Sequence, residues 1–138
     1  MNLSERTKLT LVKAAQSSAG TTINSDSVDM RGFENVQFFV SVALANAANF
    51  VKVQTSSDNS AWNDLTGTKV VVAVDGDVVG VDVIRNRERY LRLVIDRGGL
   101  NTATGDVYAV QYAPQIMPTV QPSTVVLERH VSPAEGTA

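Results

Sequence analysis

The stretch FENVQFFVSVAL, residues 33–44, decides the fold class of this chain. From position 36 to position 44 every second residue is valine, phenylalanine or leucine, and most residues between them are polar, with Phe39 as the exception. Successive side chains of an extended strand point to opposite faces, so a period of two indicates a strand with one buried face. We therefore expect a β-strand here, with its even-numbered residues in the core.

Similar alternation recurs in NFVKVQTS (49–56), TKVVVAV (68–74), DVVGVDVI (77–84), RYLRLVID (89–96) and GDVYAVQYA (105–113). Asp75-Gly76 separates two of these segments and predicts a hairpin, because a type I′ turn needs positive φ at both central residues. Helical periodicity is absent; residues 43–50 are the best helical candidate by propensity, but they form a short segment between strands. The patterns predict an all-β fold, a two-sheet antiparallel sandwich of jelly-roll type, with a small closed barrel as the alternative.

The inward-facing positions of these strands predict the core. They are Val36, Phe38, Val40, Val42, Val51, Val53, Leu91, Leu93, Ile95 and Val110.

The composition changes after Ala113, because all four prolines lie in the last 25 residues. Proline cannot donate a backbone hydrogen bond to a strand ladder. We therefore divide the chain into a β-sandwich domain, residues 1–113, and an extended, proline-rich C-terminal arm, residues 114–138. The arm is too apolar for a solvated linker, so we expect it to be mobile in the free protein and to dock on a partner. Its segment TVVLE (124–128) is suited to adding a strand to the sheet edge of a neighbouring subunit.

The bulk composition is that of a globular protein. At 138 residues, with 43% hydrophobic and 19% charged residues, the chain is long enough to bury a core. Its net charge of −2 gives no overall field that attracts nucleic acid. It has no cysteine, which excludes disulfides and thiolate chemistry. No apolar run approaches the ~20 residues of a membrane span or the roughly 7–15 of a signal peptide, so we expect a soluble protein made in the cytoplasm.

Five of the eight arginines lie between Arg85 and Arg97. Three of them, Arg85, Arg87 and Arg89, precede the main part of the strand 89–96. One interpretation is a solvated loop whose arginines pair with nearby carboxylates, as most charge clusters do. The carboxylates nearest in sequence are Asp82, Glu88 and Asp96. The second interpretation is a protein interface, since arginine pairs well with carboxylates across interfaces. Nucleic acid fits least, because the segment lacks an aromatic ladder.

Residues that carry chemistry are few. The single histidine, His130, stands in the arm, remote in sequence from a serine or acid partner, so a catalytic triad is not expected. Asp75 and Asp77 lack the remaining ligands of a calcium loop. We expect no metal site, no cofactor and no enzymatic activity.

Two stretches resemble a protein family. VQTSSDNSAWNDLTG (53–67) is similar to a polar-turn, tryptophan, Asp-Leu segment of many small phage β-sandwich proteins, and RNRERYLRLVIDRGG (85–99) is similar to the strand that follows it. With its proline-rich arm and lack of cysteine, the whole chain resembles the head decoration, or cement, proteins of tailed bacteriophages, of the jelly-roll type found in short-tailed phages of the Bordetella phage type. The resemblance implies a non-enzymatic protein that binds the outside of a phage head and stabilises contacts between major capsid protein subunits.

The resemblance also implies partners and a location. The partners are the major capsid protein and a second copy of the chain, with a symmetric homodimer preferred, a trimer as runner-up, and the sheet edges and Phe39 as the contact surface. Nucleic acid and membranes are not expected partners. The location is the outer surface of the capsid in the virion, after synthesis in the host cytoplasm. The candidate partner-binding residues are Arg85, Arg87, Arg89, Ile116, Met117, Val120, Val125, Val126 and Leu127.

A similar arrangement of tryptophan, Asp-Leu and Arg-Tyr occurs in discoidin-like and carbohydrate-binding sandwiches. The alternative function is therefore a carbohydrate-binding module or a virion-surface adhesin. Its sugar-stacking platform would consist of Trp62, Tyr90, Tyr108 and Tyr112. A tryptophan at a strand edge is more often a core plug. A tail or head-completion protein is a third possibility.

Overall fold

The computed structural model of the protein describes residues 2–132 and 134–137. Strands hold 44% of the residues and helix 3%, which confirms the all-β prediction. In chain order the elements are α1 (Leu3–Arg6), β1 (Lys8–Lys13), β2 (Gln16–Ala19), β3 (Ile23–Asn24), β4 (Val28–Asp29), β5 (Phe33–Ala43), β6 (Phe50–Ser56), β7 (Asn63–Asp64), β8 (Val70–Val71), β9 (Val78–Val83), β10 (Tyr90–Asp96), β11 (Thr102–Thr104) and β12 (Val107–Pro114). No helix among the described residues is long and apolar enough to cross a bilayer.

The strands form two antiparallel sheets, which confirms the predicted sandwich. Sheet I has the order β1-β12-β5-β11-β2, and β9 pairs with the other side of β5. Sheet II has the order β3-β10-β6-β7, with β4 added to β10 and β8 added to β6. The eleven-residue strand β5 is the centre of sheet I, because its first half pairs with β12 and its last residues pair with β11.

The core lies between the two sheets, as the alternation of β5 predicts. Val36 and Phe38 have no exposed surface, and Val40 and Val42 are 1% exposed. Of the ten predicted core residues, nine are buried: Val36, Phe38, Val40, Val42, Val51, Val53, Leu91, Leu93 and Ile95. Fully burying a side chain of this kind stabilises the fold by about 1.5–3 kcal/mol.

The tenth, Val110, was assigned to the wrong face of β12. The inward residues of β12 are Val107, Ala109 and Gln111, and Val110 is only half-buried on the outer face. Register explains the inversion, because Ala109 lies opposite Phe38 and leaves room for its ring. The amide of Gln111, which is 1% exposed, donates to the backbone oxygen of Asp29 at 2.8 Å, so this polar side chain is satisfied inside the core.

The hairpin predicted at Asp75-Gly76 does not form. Gly76 has the positive φ of 82° that such a turn needs, but the strands on either side do not pair with each other. β8 pairs with β6 in sheet II, whereas β9 pairs with β5 in sheet I. The turn therefore carries the chain from one sheet to the other. The helical candidate, residues 43–50, is not a helix. Ala43 ends β5, Phe50 begins β6, and the turn between them is held by a hydrogen bond from the backbone N–H of Asn46 to the side-chain oxygen of Asn49.

Candidate functional site

The five clustered arginines have different environments. Arg97 is 3% exposed, Arg92 is half-buried, and Arg85, Arg87 and Arg89 are exposed in the connection between β9 and β10. Side chains of a strand alternate between its two faces, whereas side chains of a loop do not. The same short segment therefore places arginines in a buried site, on a sheet surface and in a solvated turn. The cluster is therefore several separate sites rather than one basic patch.

Arg89 is held by a carboxylate that sequence proximity did not indicate. Its guanidinium donates two hydrogen bonds to Asp29 of β4, at 3.1 and 2.8 Å, and lies 4.9 Å from the centre of the Tyr90 ring. The bond from Arg89 holds the pKa of the Asp29 carboxyl below its usual value. The carboxylates expected as partners are used differently: Asp82 binds Tyr112 and Asp96 accepts from the backbone of Gly98.

Arg85 and Arg87 are the exposed pair. Arg85 has a φ of 54°, and its backbone N–H donates to the side-chain oxygen of Asn35 at 2.9 Å, so the chain turns sharply where β9 ends. Within residues 2–132 and 134–137, no carboxylate lies within ion-pair distance of either guanidinium. Both side chains line a cleft of about 330 Å³ at this end of the sandwich. They are the cations of the cluster that remain available to a partner.

Arg97 is a structural residue that sequence reasoning did not identify. Its guanidinium donates to the backbone oxygens of Ser17, Thr21 and Thr102 at 2.6 to 3.0 Å, and to the Thr21 hydroxyl. The buried amide of Asn49 donates in turn to the backbone oxygen of Arg97 at 2.8 Å. Arg97 thus joins the connection after β10 to β2 and β11. The only signal in the sequence is the position of this arginine directly before Gly98-Gly99, which does not identify its partners.

The four proposed sugar-stacking residues do not form one platform. Trp62 is half-buried beneath the guanidinium of Arg92, which lies 4.3 Å from the ring centre and donates to the side chain of Gln54. Trp62 directly precedes β7 of sheet II and Tyr90 begins β10 of the same sheet, but Tyr108 and Tyr112 lie on the outer face of β12 in sheet I. The aromatic residues of the alternative function are therefore divided between two sheets.

The outer face of sheet I carries an aromatic and apolar strip. Phe39 stacks on Tyr108 with ring centroids 5.5 Å apart, and Leu11 pairs with Tyr108 from β1. Beside this strip the Tyr112 hydroxyl donates to the Asp82 carboxylate at 2.7 Å. Burial, together with that carboxylate, raises the pKa of Tyr112 to about 12.

We expect one of the three tyrosines to deprotonate about two pH units later than free tyrosine, whose pKa is about 10. Because the folded-state pKa is raised, the stabilisation is complete below about pH 10 and is lost as the pH rises to about 12. A near-ultraviolet titration of the folded protein measures this. Asp82→Asn should bring the late transition forward. Asp106→Asn removes the carboxylate that accepts a hydrogen bond from the Tyr108 hydroxyl at 3.3 Å and should leave the late transition in place. The absence of a late tyrosine transition near pH 12 would contradict the assignment.

The first part of the arm lies along the N-terminal segment of the same chain. The Thr119 backbone donates to Glu5, and the Gln121 side chain donates to the backbone oxygen of Thr7 and accepts from the backbone N–H of Leu9. Arg129 forms an ion pair with Glu5. The bonds of Thr119 and Gln121 anchor residues 119–121, whereas the Arg129–Glu5 pair is exposed and contributes little, so we expect the mobile part of the arm to lie beyond Pro122.

The apolar residues of the arm are mostly exposed. The exposed fractions are 81% for Ile116, 50% for Met117, 84% for Val120, 88% for Val126 and 47% for Leu127, and Val125 is half-buried. TVVLE forms no strand with the sandwich. The structure thus leaves five of the six candidate arm residues in contact with solvent.

The described residues contain no group of three His, Asp or Glu side chains that would hold a metal ion. His130 contacts Glu128 at 3.1 Å, and the Asp75 carboxylate accepts a hydrogen bond from the backbone of Ala45.

No family model and no curated protein matches the chain. Among solved structures, the crystal structure of the PBSX exported protein XepA is similar, with a TM-score of 0.56 and 19% sequence identity. The likeness covers 96% of this chain and 45% of that one, so the chain spans less than half the length of the XepA chain. At this identity the likeness establishes a shared β-sandwich fold.

Proposed function

We propose that this chain is a structural protein of a phage particle, and specifically a non-enzymatic decoration, or cement, protein that binds the outside of the head and bridges major capsid protein subunits. The observation that carries the proposal is the arm, where Ile116, Val120 and Val126 are each more than 80% exposed. A likeness in fold to a phage exported protein supports it at the level of a phage-associated protein.

Apolar side chains on an exposed arm gain free energy when a partner covers them. Burying apolar surface contributes about 25 cal/mol per Å², so three exposed aliphatic side chains represent several kcal/mol that a partner would recover. Ordering the free end of the arm costs roughly 1–2 kcal/mol per residue, which only an extensive surface offsets. A capsid lattice supplies such a surface, and many copies bound to one lattice add their affinities.

The anchored first part of the arm fits this role. The bonds from Thr119 and Gln121 to the N-terminal segment fix the point at which the arm leaves the sandwich. The apolar residues before and after that point are then presented from a defined position. Fixing the origin of an arm lowers the entropy lost when its far end binds.

Virions from which the chain has been removed genetically provide the test, because purified protein can be added back and its copy number per particle measured. A decoration protein should approach the major capsid protein in stoichiometry, whereas a tail component would be present in far fewer copies. The variant Ile116→Ser/Val120→Ser/Val126→Ser should bind particles at least about tenfold more weakly, with an unchanged melting temperature.

The matched control replaces three exposed apolar residues of the sandwich domain, as Val71→Ser/Val74→Ser/Leu100→Ser. These side chains are 57%, 61% and 50% exposed, and the control should decorate particles normally. Truncation after Pro122 keeps the anchoring bonds and tests the distal half of the arm alone. Full decoration by the arm variant would place attachment on the sandwich and contradict the role of the arm.

A further inference from the structure

The strand β9 is an open edge of sheet I. It pairs with β5 on one side, and no other described segment pairs with its second side. The opposite side of sheet I ends in β1 and β2. β1 is interrupted by an irregularity between Leu11 and Lys13, and its Leu9 N–H is bound by Gln121 of the arm, while β2 has only four residues. Sheet II ends in strands of only two residues on both sides. β9 is thus the longest edge that is free to pair.

The backbone groups that face this edge can be identified from the hydrogen bonds of β5. The N–H of Val42 donates to Asp77, and the N–H of Asn86 donates to Glu34, so even-numbered residues of β5 are bonded to β9. Their partners in the ladder are Val79, Val81 and Val83. Bonding direction alternates along an antiparallel strand, so residues 78, 80 and 82 direct their N–H and C=O groups outward.

This edge lacks the lysine, proline, bulge and short length that keep edge strands from pairing, and its one charged side chain, Asp82, is bound by the Tyr112 hydroxyl. Natural monomers protect edges with lysine, proline, bulges or very short strands. β9 has six residues, VVGVDV, its register with β5 is unbroken, and it contains neither lysine nor proline. Val78 is 71% exposed, and Gly80 leaves the middle of the strand unobstructed.

The two ends of β9 carry opposite charges. Asp75 and Asp77 precede the strand, and Arg85 and Arg87 follow it. All four residues are exposed, and neither arginine has an ion-pair partner among the described residues. An antiparallel copy of the same strand would place the acidic end of each against the basic end of the other.

We propose that β9 pairs antiparallel with β9 of a second copy of this chain, about a two-fold axis at Gly80. In this register residue 78 of one copy lies opposite residue 82 of the other, and residue 80 lies opposite residue 80. All outward backbone groups of the two strands therefore form hydrogen bonds with each other. Asp75 then lies opposite Arg85 of the partner, and Asp77 lies diagonal to it. A register centred on Asp82 would place two carboxylates opposite each other and is disfavoured. The inference does not depend on the capsid role, and it joins two copies of sheet I into one continuous sheet.

Single cysteines test the register directly, because the natural chain contains no cysteine. Residues opposite each other in a hydrogen-bonded pair have Cα atoms about 5.5 Å apart, a separation that a disulfide spans. Gly80→Cys should therefore form a covalent dimer under mild oxidation that a reductant reverses. Val78→Cys should form no covalent dimer under the same oxidation, as judged on a non-reducing denaturing gel. In this register the two copies of residue 78 are about 13 Å apart along the strands. A Cβ at residue 80 meets only Gln37 at 3.4 Å and Phe38 at 3.6 Å, so the variant is expected to fold.

Charge reversal provides an independent measurement by sedimentation of the purified protein without particles. Arg85→Glu/Arg87→Glu should weaken self-association about tenfold or more. Adding Asp77→Lys to this double variant should restore most of the lost affinity between the two copies. Arg6→Glu/Lys13→Glu changes the charge equally near the opposite edge of the sheet and should have no effect.

Monomeric protein at concentrations up to about 1 mM would overturn the proposal. So would a dimer that cross-links through residue 78 but not through residue 80. A dimer that tolerates the Arg85→Glu/Arg87→Glu reversal without weakening would overturn the charge pairing and with it the two-fold register. Loss of capsid binding in a variant that still dimerises would concern the proposed function alone.

Discussion

Arg97→Met is expected to lower the free energy of unfolding by about 4 kcal/mol. The side chain is 3% exposed and donates hydrogen bonds to three backbone oxygens that belong to separate segments of the chain. Methionine fills a similar volume but leaves those carbonyls without their donors. The bond to Thr102 is buried and those to Ser17 and Thr21 are partly buried, and a buried unsatisfied polar group costs about 1–3 kcal/mol. Denaturation in urea, with an unchanged dependence on urea concentration, measures the loss.

A second substitution separates charge from geometry at the same position. Arg97→Lys keeps the positive charge, but a compact ammonium group cannot reach Ser17, Thr21 and Thr102 with the planar fork of a guanidinium. It should therefore recover only part of the loss. The matched control is Arg92→Met in the preceding strand, which removes an exposed-face contact with Gln54 and Trp62 and should cost about 1 kcal/mol. Equal losses for Arg97→Met and Arg92→Met would contradict the structural role of Arg97.

Phe38→Ala is expected to destabilise the protein by about 3–5 kcal/mol, because truncating a fully buried phenylalanine removes its transfer free energy and leaves a cavity. Phe38 has no exposed surface and stands between Ala109 of β12 and Val81 of β9. The small Ala109 side chain cannot fill the space, so little relaxation is expected. The unfolding midpoint in urea gives the magnitude.

The adjacent residue is the control for this change. Phe39 points to the outer face of the same strand, where it is half-buried and stacked on Tyr108. Phe39→Ala should cost about 1 kcal/mol, the value of one aromatic pair with partial burial. A loss below about 1 kcal/mol for Phe38→Ala would mean that the core face of β5 is inverted, because a truncation on the solvent side creates no cavity.

The candidate interaction residues were only partly predictable. The sequence indicated the arm by its prolines and identified its apolar residues, because local composition decides where a strand ladder must stop. Arg85 and Arg87 are exposed and have no ion-pair partner among the residues that the structure describes, whereas Arg89 pairs with Asp29, sixty residues away. Ion pairs between residues that are far apart in the sequence depend on which strands become neighbours in the fold. The carboxylate nearest in the sequence therefore does not identify the partner of an arginine.

Local alternation by itself determined the fold class and the buried face of β5, β6 and β10, because a period of two with one apolar face has a single favourable orientation. Tertiary structure decided the rest. In β12 both faces carry apolar residues, so only the register against Phe38 selects Ala109 rather than Val110 for the core. Gly76 fixed the geometry of a turn but not its partners, and the chain changes sheets there because β8 and β9 find their hydrogen bonds on different strands. Which strands pair depends on contacts between residues that are far apart in the sequence, and the pairing that forms is the one that buries the most apolar surface. A short segment of sequence therefore does not determine its own partner strand.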